Sequence, residues 1–220
     1  MIKDILHKIK SSLPSSVTLV AVSKTKSKEQ ITEVYEAGQK DFGENYVQEL
    51  CDKHEQLPKD IHWHFIGHLQ SNKVKFIASF VHLIHSVDSL KLLLEINKEA
   101  KKNKRVINCL LQIYISGEET KFGFDFTECL DLLKSGELKQ LANVNVVGFM
   151  GMASNTNDAN QIHKEFSSLK KFQQSLVTNK HPLNVLSFGM SGDYKIAIEE
   201  GSNMIRIGSI IFGERDYSKK

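Results

Sequence analysis

Three sets of residues have the types and spacing to do chemistry. The first centres on Lys24, which closes the run Val17-Thr-Leu-Val-Ala-Val-Ser-Lys24-Thr-Lys26. Val17 to Val22 is almost continuously apolar and β-branched, the composition of a strand buried on both faces of a parallel sheet. In α/β folds ligands gather at the carboxyl ends of such strands. A lysine held there beside apolar walls can have its pKa lowered, and its neutral amine can then attack a carbonyl. A lysine closing a strand is usually just a solvated cap, and on this stretch alone that reading is the stronger.

The second set lies near the end of the chain. Ser187-Phe-Gly-Met-Ser-Gly192 puts small residues and hydroxyls directly before an expected helix, and Arg206-Ile-Gly-Ser209 does the same after the last expected strand. Glycine lets a backbone approach a phosphate, backbone N–H groups donate to it, and Ser191 and Ser209 add hydroxyl donors. Tight βα turns also favour Gly and Ser for conformational reasons alone. Two such loops together with a strand-end lysine favour a phosphate-bearing carbonyl ligand, and pyridoxal 5′-phosphate (PLP) meets that description. The third set is His62, His64 and His68. Alternate strand residues share a face, but no carboxylate or cysteine completes a recognisable ligand pattern with them, so no metal is expected. His68 is placed to reach the pocket from its loop, and His62 is expected on the surface.

These residues need a scaffold, and the chain alternates strand-like and helix-like segments along its whole length. Strands are expected to begin near residues 17, 41, 62, 81, 106, 144, 184 and 204. Helices are expected over Ser27 to Ala37, from Asn45, from about Ser71, over Ser89 to Asn103 and over Phe126 to Lys134. Two more run from Asn157 to about Thr178 and from Tyr194 to Glu200. Eight βα units with short loops are what a (β/α)₈ barrel requires. An open doubly wound sheet is the alternative, but no G-x-G-x-x-G follows the first strand. The first residues carry Ile2, Ile5, Leu6 and Ile9 on one helical face. No linker-like tract interrupts the pattern. The reading is α/β: a single (β/α)₈ barrel domain over residues 1–220 with an extra N-terminal helix.

Composition narrows the function classes. Hydrophobic residues make up 40% and charged residues 25%, with a net charge of +3, an ordinary globular balance. The charge does not call for a nucleic-acid partner, and the basic cluster Lys98 to Arg105 falls at an expected helix end, where cations suit the dipole. No apolar run approaches the roughly 20 residues that span a bilayer, and the charged N-terminus lacks a signal-peptide core. Cys51, Cys109 and Cys129 are odd in number and never form C-x-x-C, which fits a reducing cytoplasm.

Five ordered segments carry a resemblance. Ala21-Val-Ser-Lys-Thr-Lys26, Phe42-Gly-Glu-Asn-Tyr-Val-Gln-Glu49, Trp63-His-Phe-Ile-Gly-His-Leu-Gln-Ser-Asn-Lys73, Ser187-Phe-Gly-Met-Ser191 and Met204-Ile-Arg-Ile-Gly-Ser-Ile-Ile-Phe-Gly213 resemble the PLP homeostasis protein family over nearly the full length. The resemblance implies a barrel like that of alanine racemase, monomeric and without that enzyme's second domain. It implies that Lys24 forms the internal aldimine with PLP and that Arg206 lies against the pyridine nitrogen. It further implies that Ser191, Gly208 and Ser209 hold the phosphate while Asn45 and Met190 line the ring pocket. Phe188 stands where the family often has Met, and Ser209 where it often has Thr. Lys121 matches a lysine-containing family loop and is either a solvated residue or a second, weaker aldehyde acceptor.

The function implied is holding and delivering PLP, with regulation of vitamin B6 and amino- and keto-acid balance and no dedicated reaction. PLP-dependent apo-enzymes are the implied acceptors. Two rivals stand beside it: a small PLP-dependent amino-acid racemase, and a PLP-free barrel acting on a sugar phosphate.

Overall fold

The computed structural model describes residues 2–117, 122–176 and 183–214. Eight short, mostly apolar strands occur in it: β1 (Thr18–Val22), β2 (Asp41–Glu44), β3 (His62–Phe65), β4 (Leu83–Val87), β5 (Ile107–Ile113), β6 (Val144–Gly151), β7 (Val185–Ser187) and β8 (Met204–Ile207). They pair in parallel in chain order, and β8 pairs back onto β1 through Thr18↔Met204 to Ala21↔Ile207. Closure leaves no strand edge unpaired. The expected strand starts agree with these within two residues, and the (β/α)₈ barrel is the architecture found.

Helices surround the barrel: α1 (Ile2–Ser12), α2 (Lys28–Glu36), α3 (Val47–Gln56), α4 (Val74–Ile77), α5 (Leu90–Lys102), α6 (Phe126–Ser135), α7 (Ala159–Leu176), α8 (Tyr194–Glu199) and α9 (Ser209–Phe212). Local sequence fixes several starts. Ser27 caps α2 in a capping box with Gln30, and Asp125 does the same for α6 with Glu128. α1 buries Leu6 and Ile9 and packs Ile2 and Ile5 against the core, as its apolar face requires. The helix expected from Ser71 is instead a 3₁₀ turn (Ser71–Lys73) followed by the single turn of α4. Val74, Ile77, Ala78 and Val81 are its only buried apolar positions, which suffices for one turn before the chain must enter β4. α7 ends at Leu176, so the expected extension to Thr178 lies outside the described residues. Among the described residues no helix is long and apolar enough to cross a membrane.

Two packing layers follow from strand alternation. Outward residues such as Leu19, Ala21, Phe42, Trp63 and Phe149 join the helices in one large core. Inward residues Val20, Leu83, Leu110, Met150 and Met204 form a separate apolar cluster inside the barrel. Strand β6 approaches β7 so closely that a Cβ on Gly148 would lie 1.9 Å from the Val185 carbonyl oxygen, so only glycine fits there. The rest of the barrel interior is polar and leads to the site.

Candidate functional site

Lys24 follows β1 by two residues, in the turn before α2, and is half-buried. The turn is strained: Thr25 adopts φ 64°, a left-handed conformation rare for a β-branched residue and worth about 1–3 kcal/mol. A buried network holds it there. The Thr25 N–H donates to Glu49 Oε1 (2.5 Å) and the Ser23 hydroxyl to Glu44 Oε1 (2.5 Å). Lys53, 6% exposed, joins the two sides. Its ammonium donates to the Ser23 carbonyl (2.7 Å), to Glu44 Oε1 (2.8 Å) and to Glu49 Oε1 (2.6 Å). Burial pushes the Glu44 carboxyl up to about 7, against the pull of Lys53 and Ser23. Both residues flanking Lys24 are thereby clamped from behind, which fixes where its side chain emerges.

A cavity of about 340 Å³ opens in front of this turn, at the carboxyl ends of the strands. Lys24, Asn45, Met190, Ser191, Arg206, Gly208 and Ser209, the residues singled out in the sequence, all line it. Asn45 follows β2, and its position depends on Gly67 after β3, where a Cβ would lie 2.2 Å from the Asn45 carbonyl oxygen. Its Oδ1 is buried with no hydrogen-bond partner. Ser191 Oγ accepts from the Gly208 N–H (3.4 Å), which brings the loops after β7 and β8 together. Lys26, Ile66 and Met152 complete walls that the sequence reading did not assign. Lys26 donates to the carbonyls of Phe212, Gly213 and Glu214 (3.1–3.2 Å) and so anchors the segment after α9. Among the described residues the lining contains three cationic side chains, Lys24, Lys26 and Arg206, and no carboxylate, a balance that suits an anionic ligand.

Arg206 is only 4% exposed. Its Nη1 donates to the carbonyl and hydroxyl oxygens of Ser187 (2.7 Å each), and Nη2 donates to the Gly151 carbonyl (3.1 Å). Three of the five guanidinium N–H donors are thus used to orient the group. Burial pushes Arg206 down to about 10, with Asp193 opposing, so it stays cationic at neutral pH.

Behind Arg206 a chain of hydrogen bonds runs through the barrel: Ser187 Oγ to His85 Nδ1 (2.9 Å), His85 Nε2 to His64 Nδ1 (2.8 Å), and His64 Nε2 to Asp41 Oδ1 (3.0 Å). Burial keeps both histidines below their ordinary pKa, outweighing Asp41 in the case of His64 and helped by His64 and Arg206 in the case of His85. Burial also pushes the Asp41 carboxyl up, but His64 and His62 outweigh it and hold the carboxyl below its ordinary value. With neutral imidazoles and an ionised Asp41, one proton arrangement satisfies every member. Arg206 donates to Ser187, Ser187 to His85, His85 to His64, and His64 to Asp41. All donors point one way, from the cavity to the opposite mouth of the barrel.

His68 does not line the Lys24 cavity. It pairs with Asp88 (3.1 Å), stacks on Phe122 (ring centroids 4.1 Å apart) and lines a neighbouring cavity of about 790 Å³ that shares Asn45. Phe188 is fully buried and stacks on Phe166 behind the loop, so it tolerates exchange without touching the cavity. Lys121 lies outside the described residues.

The alanine racemase N-terminal domain family matches residues 2–216. The pyridoxal phosphate homeostasis protein of Vibrio alginolyticus is 42% identical over 211 residues, covering 93% of this chain and 89% of its own. The chain belongs to the pyridoxal phosphate homeostasis protein family. Its namesake in Escherichia coli K12 is 38% identical over 218 residues, covering 94% of this chain and 89% of its own. Among solved structures, PipY of Synechococcus elongatus with PLP bound superposes with a TM-score of 0.86 at 35% identity. It covers 97% of this chain and 100% of its own. Alanine racemase of Clostridium difficile shares the fold (TM-score 0.77, 17% identity, 97% of this chain), but this chain spans only 56% of its length.

Proposed function

We propose that this member of the family holds PLP in the cavity between Lys24 and Arg206 and hands it to apo-enzymes, serving vitamin B6 and amino- and keto-acid homeostasis. The observation that carries the reading is a single cavity combining a clamped amine, an oriented guanidinium and a Ser/Gly face, with no carboxylate among its described residues. The unpartnered Asn45 Oδ1 marks it as built for a polar ligand. The PLP-bound state of PipY and the names of the curated relatives support the choice of ligand.

PLP supplies an aldehyde for covalent capture and a ring able to draw electrons from an attached amino acid. In this chain Lys24 is the amine that captures the aldehyde. Ser191, Gly208 and Ser209 take the phosphate, with Lys26 adding charge, while Asn45 and Met190 flank the ring. Arg206 donates to the ring nitrogen and keeps its own proton, because every partner it has in the chain behind it is an acceptor. That disfavours carbanion chemistry. Racemisation also needs an acid/base group on each face of the bound amino acid. Among the described residues the lining offers no tyrosine, histidine, cysteine or carboxylate for the face opposite Lys24.

The test is spectroscopic and chemical. Purified protein with PLP is expected to give a visible-absorbing adduct that borohydride traps on Lys24 by peptide mapping, and that Lys24→Ala loses while keeping its fold. A pyridoxyl group mapped to another lysine would refute the assignment. Incubated with L-alanine, the loaded protein is expected to yield no D-isomer by chiral chromatography at ordinary enzyme rates, on the order of 1–10³ per second.

A further inference from the structure

We propose that the amino-terminal mouth of the barrel, opposite the Lys24 cavity, is a binding site for one first-row divalent transition-metal ion, held by Asp41, His62 and His82. The three residues sit at the entrances of three successive strands. Asp41 opens β2, His62 is its register partner at the start of β3, and His82 immediately precedes β4 with its N–H donating to the Trp63 carbonyl (2.9 Å). Each offers one ligand atom, and all three atoms lie within 4.8 Å of one another. Zinc bound at about 2.0–2.1 Å in a tetrahedron separates its ligand atoms by about 3.4 Å. Asp41 Oδ1 and His62 Nδ1 are already 3.2 Å apart, and the His62 side chain is 48% exposed, so its ring is free to turn toward a shared ion.

What distinguishes this cluster from a chance surface grouping is the support behind its carboxylate. Asp41 Oδ1 also accepts from His64 Nε2 (3.0 Å), and the His64 side chain is 1% exposed. His64 is in turn fixed by His85, its neighbour in the interior chain. Ligating carboxylates in metal sites are typically hydrogen-bonded from behind in this way. The His62 and His82 rings lie stacked over the same spot, with centroids 4.5 Å apart. Two imidazoles and one carboxylate suit zinc, cobalt, nickel or copper rather than magnesium or calcium, and three protein ligands leave a position open to water. Because the site lies at the other end of the barrel, it stands whether or not PLP occupies the Lys24 cavity.

The experiment titrates tag-free, PLP-loaded protein with Zn²⁺ by calorimetry and with Co²⁺ by visible spectroscopy. One equivalent is expected to bind with micromolar affinity, and Co²⁺ is expected to show the d–d bands of a low-coordinate nitrogen/oxygen site. His62→Ala, His82→Ala and Asp41→Asn should each weaken binding at least tenfold. Cys51→Ser, and His163→Ala at the exposed cluster with Glu199 and Glu200, should leave it unchanged. The two ligand histidines are exposed, so their variants are expected to melt like the parent. The proposal is overturned if no stoichiometric binding occurs at 100-micromolar metal (on the order of a weak surface site), or if binding survives His62→Ala combined with His82→Ala.

Discussion

The interior chain makes a quantitative prediction, because its hydrogen bonds all run in one direction. Ser187→Ala removes the only donor to His85 Nδ1 among the described residues, and His85 has no solvent exposure. Arg206 is still held by the Ser187 and Gly151 carbonyls, so the loss falls on His85. An orphaned buried acceptor costs about 1–3 kcal/mol. If His85 turned over its tautomer to donate at Nε2 no longer, His64 would be orphaned instead, so the deficit moves along the chain without disappearing. His85→Leu removes the acceptor, leaves the Ser187 hydroxyl undirected and strips His64 of its donor. The double variant removes both ends of the Ser187–His85 bond, so neither group is left orphaned there. The two single losses are therefore expected to exceed the double loss by about 1–2 kcal/mol. Cavity and packing effects of the leucine occur in both backgrounds and cancel. The assay is urea unfolding of all four proteins, stripped of PLP so that ligand binding does not shift the midpoints. Additivity within about 0.5 kcal/mol would refute the Ser187–His85 hydrogen bond on which the chain depends.

Two further predictions concern the cavity and its clamp. Ser191→Ala and Ser209→Ala should each weaken PLP binding by about 1–2 kcal/mol, the range for a hydrogen bond to a charged group. Fluorescence titration should find pyridoxal, which lacks the phosphate, nearly indifferent to both, and equal losses for the two ligands would remove Ser191 and Ser209 from the phosphate site. Glu44 sets a pH dependence. Its folded pKa lies above the ordinary value of 4.5, at about 7, so the folded protein binds that proton more tightly than the unfolded chain. The resulting stabilisation is complete below about pH 4.5 and lost as pH rises through about 7, about 1.4 kcal/mol per unit and about 3 kcal/mol in all. Glu44→Gln lacks this loss, so urea midpoints should show the variant gaining on the parent from pH 5 to pH 8. A constant difference across that range would mean that Glu44 is ionised throughout.

The candidate site was legible wherever a residue's position follows from its place on its own strand. Lys24 ends an apolar β-branched run, and the Gly/Ser loops precede turns whose backbone must approach a ligand. Strand spacing then gave closure, and closure put these residues around one cavity. What could not be read were partnerships made across the barrel. His64 and His85 are 21 residues apart, and Ser187 is 102 residues beyond His85. Only the closed barrel turns those strand positions inward at compatible heights. The histidines near residue 62 looked incomplete as ligands for the same reason: Asp41 and His82, which complete the cluster, come from the strands on either side of β3. Lys53, which the sequence did not single out, is buried under the Lys24 turn. Its sequence signal was present but weak, four residues after Glu49 on the same helical face.

The polar interior bears on why a barrel suits a carrier. A (β/α)₈ core is ordinarily filled with apolar side chains, and here the part of it beneath the cavity is given to Arg206, Ser187, His85 and His64. Each of these groups is buried, and each would cost stability if left unpaired. The cost is contained because the chain ends on a carboxylate near solvent, Asp41, which supplies the final acceptor. Arg206 is consequently fixed in orientation without a buried carboxylate hydrogen-bonded to it that could take its proton or draw it away from the cavity. Under the proposed function, a guanidinium aimed in this manner would bind a pyridine nitrogen without activating it. The residues that would hold the ring in place would then also work against turnover on it. One arrangement would serve both retention and inertness, and a substitution that put an acidic side chain at Ser187 would be expected to disturb both together.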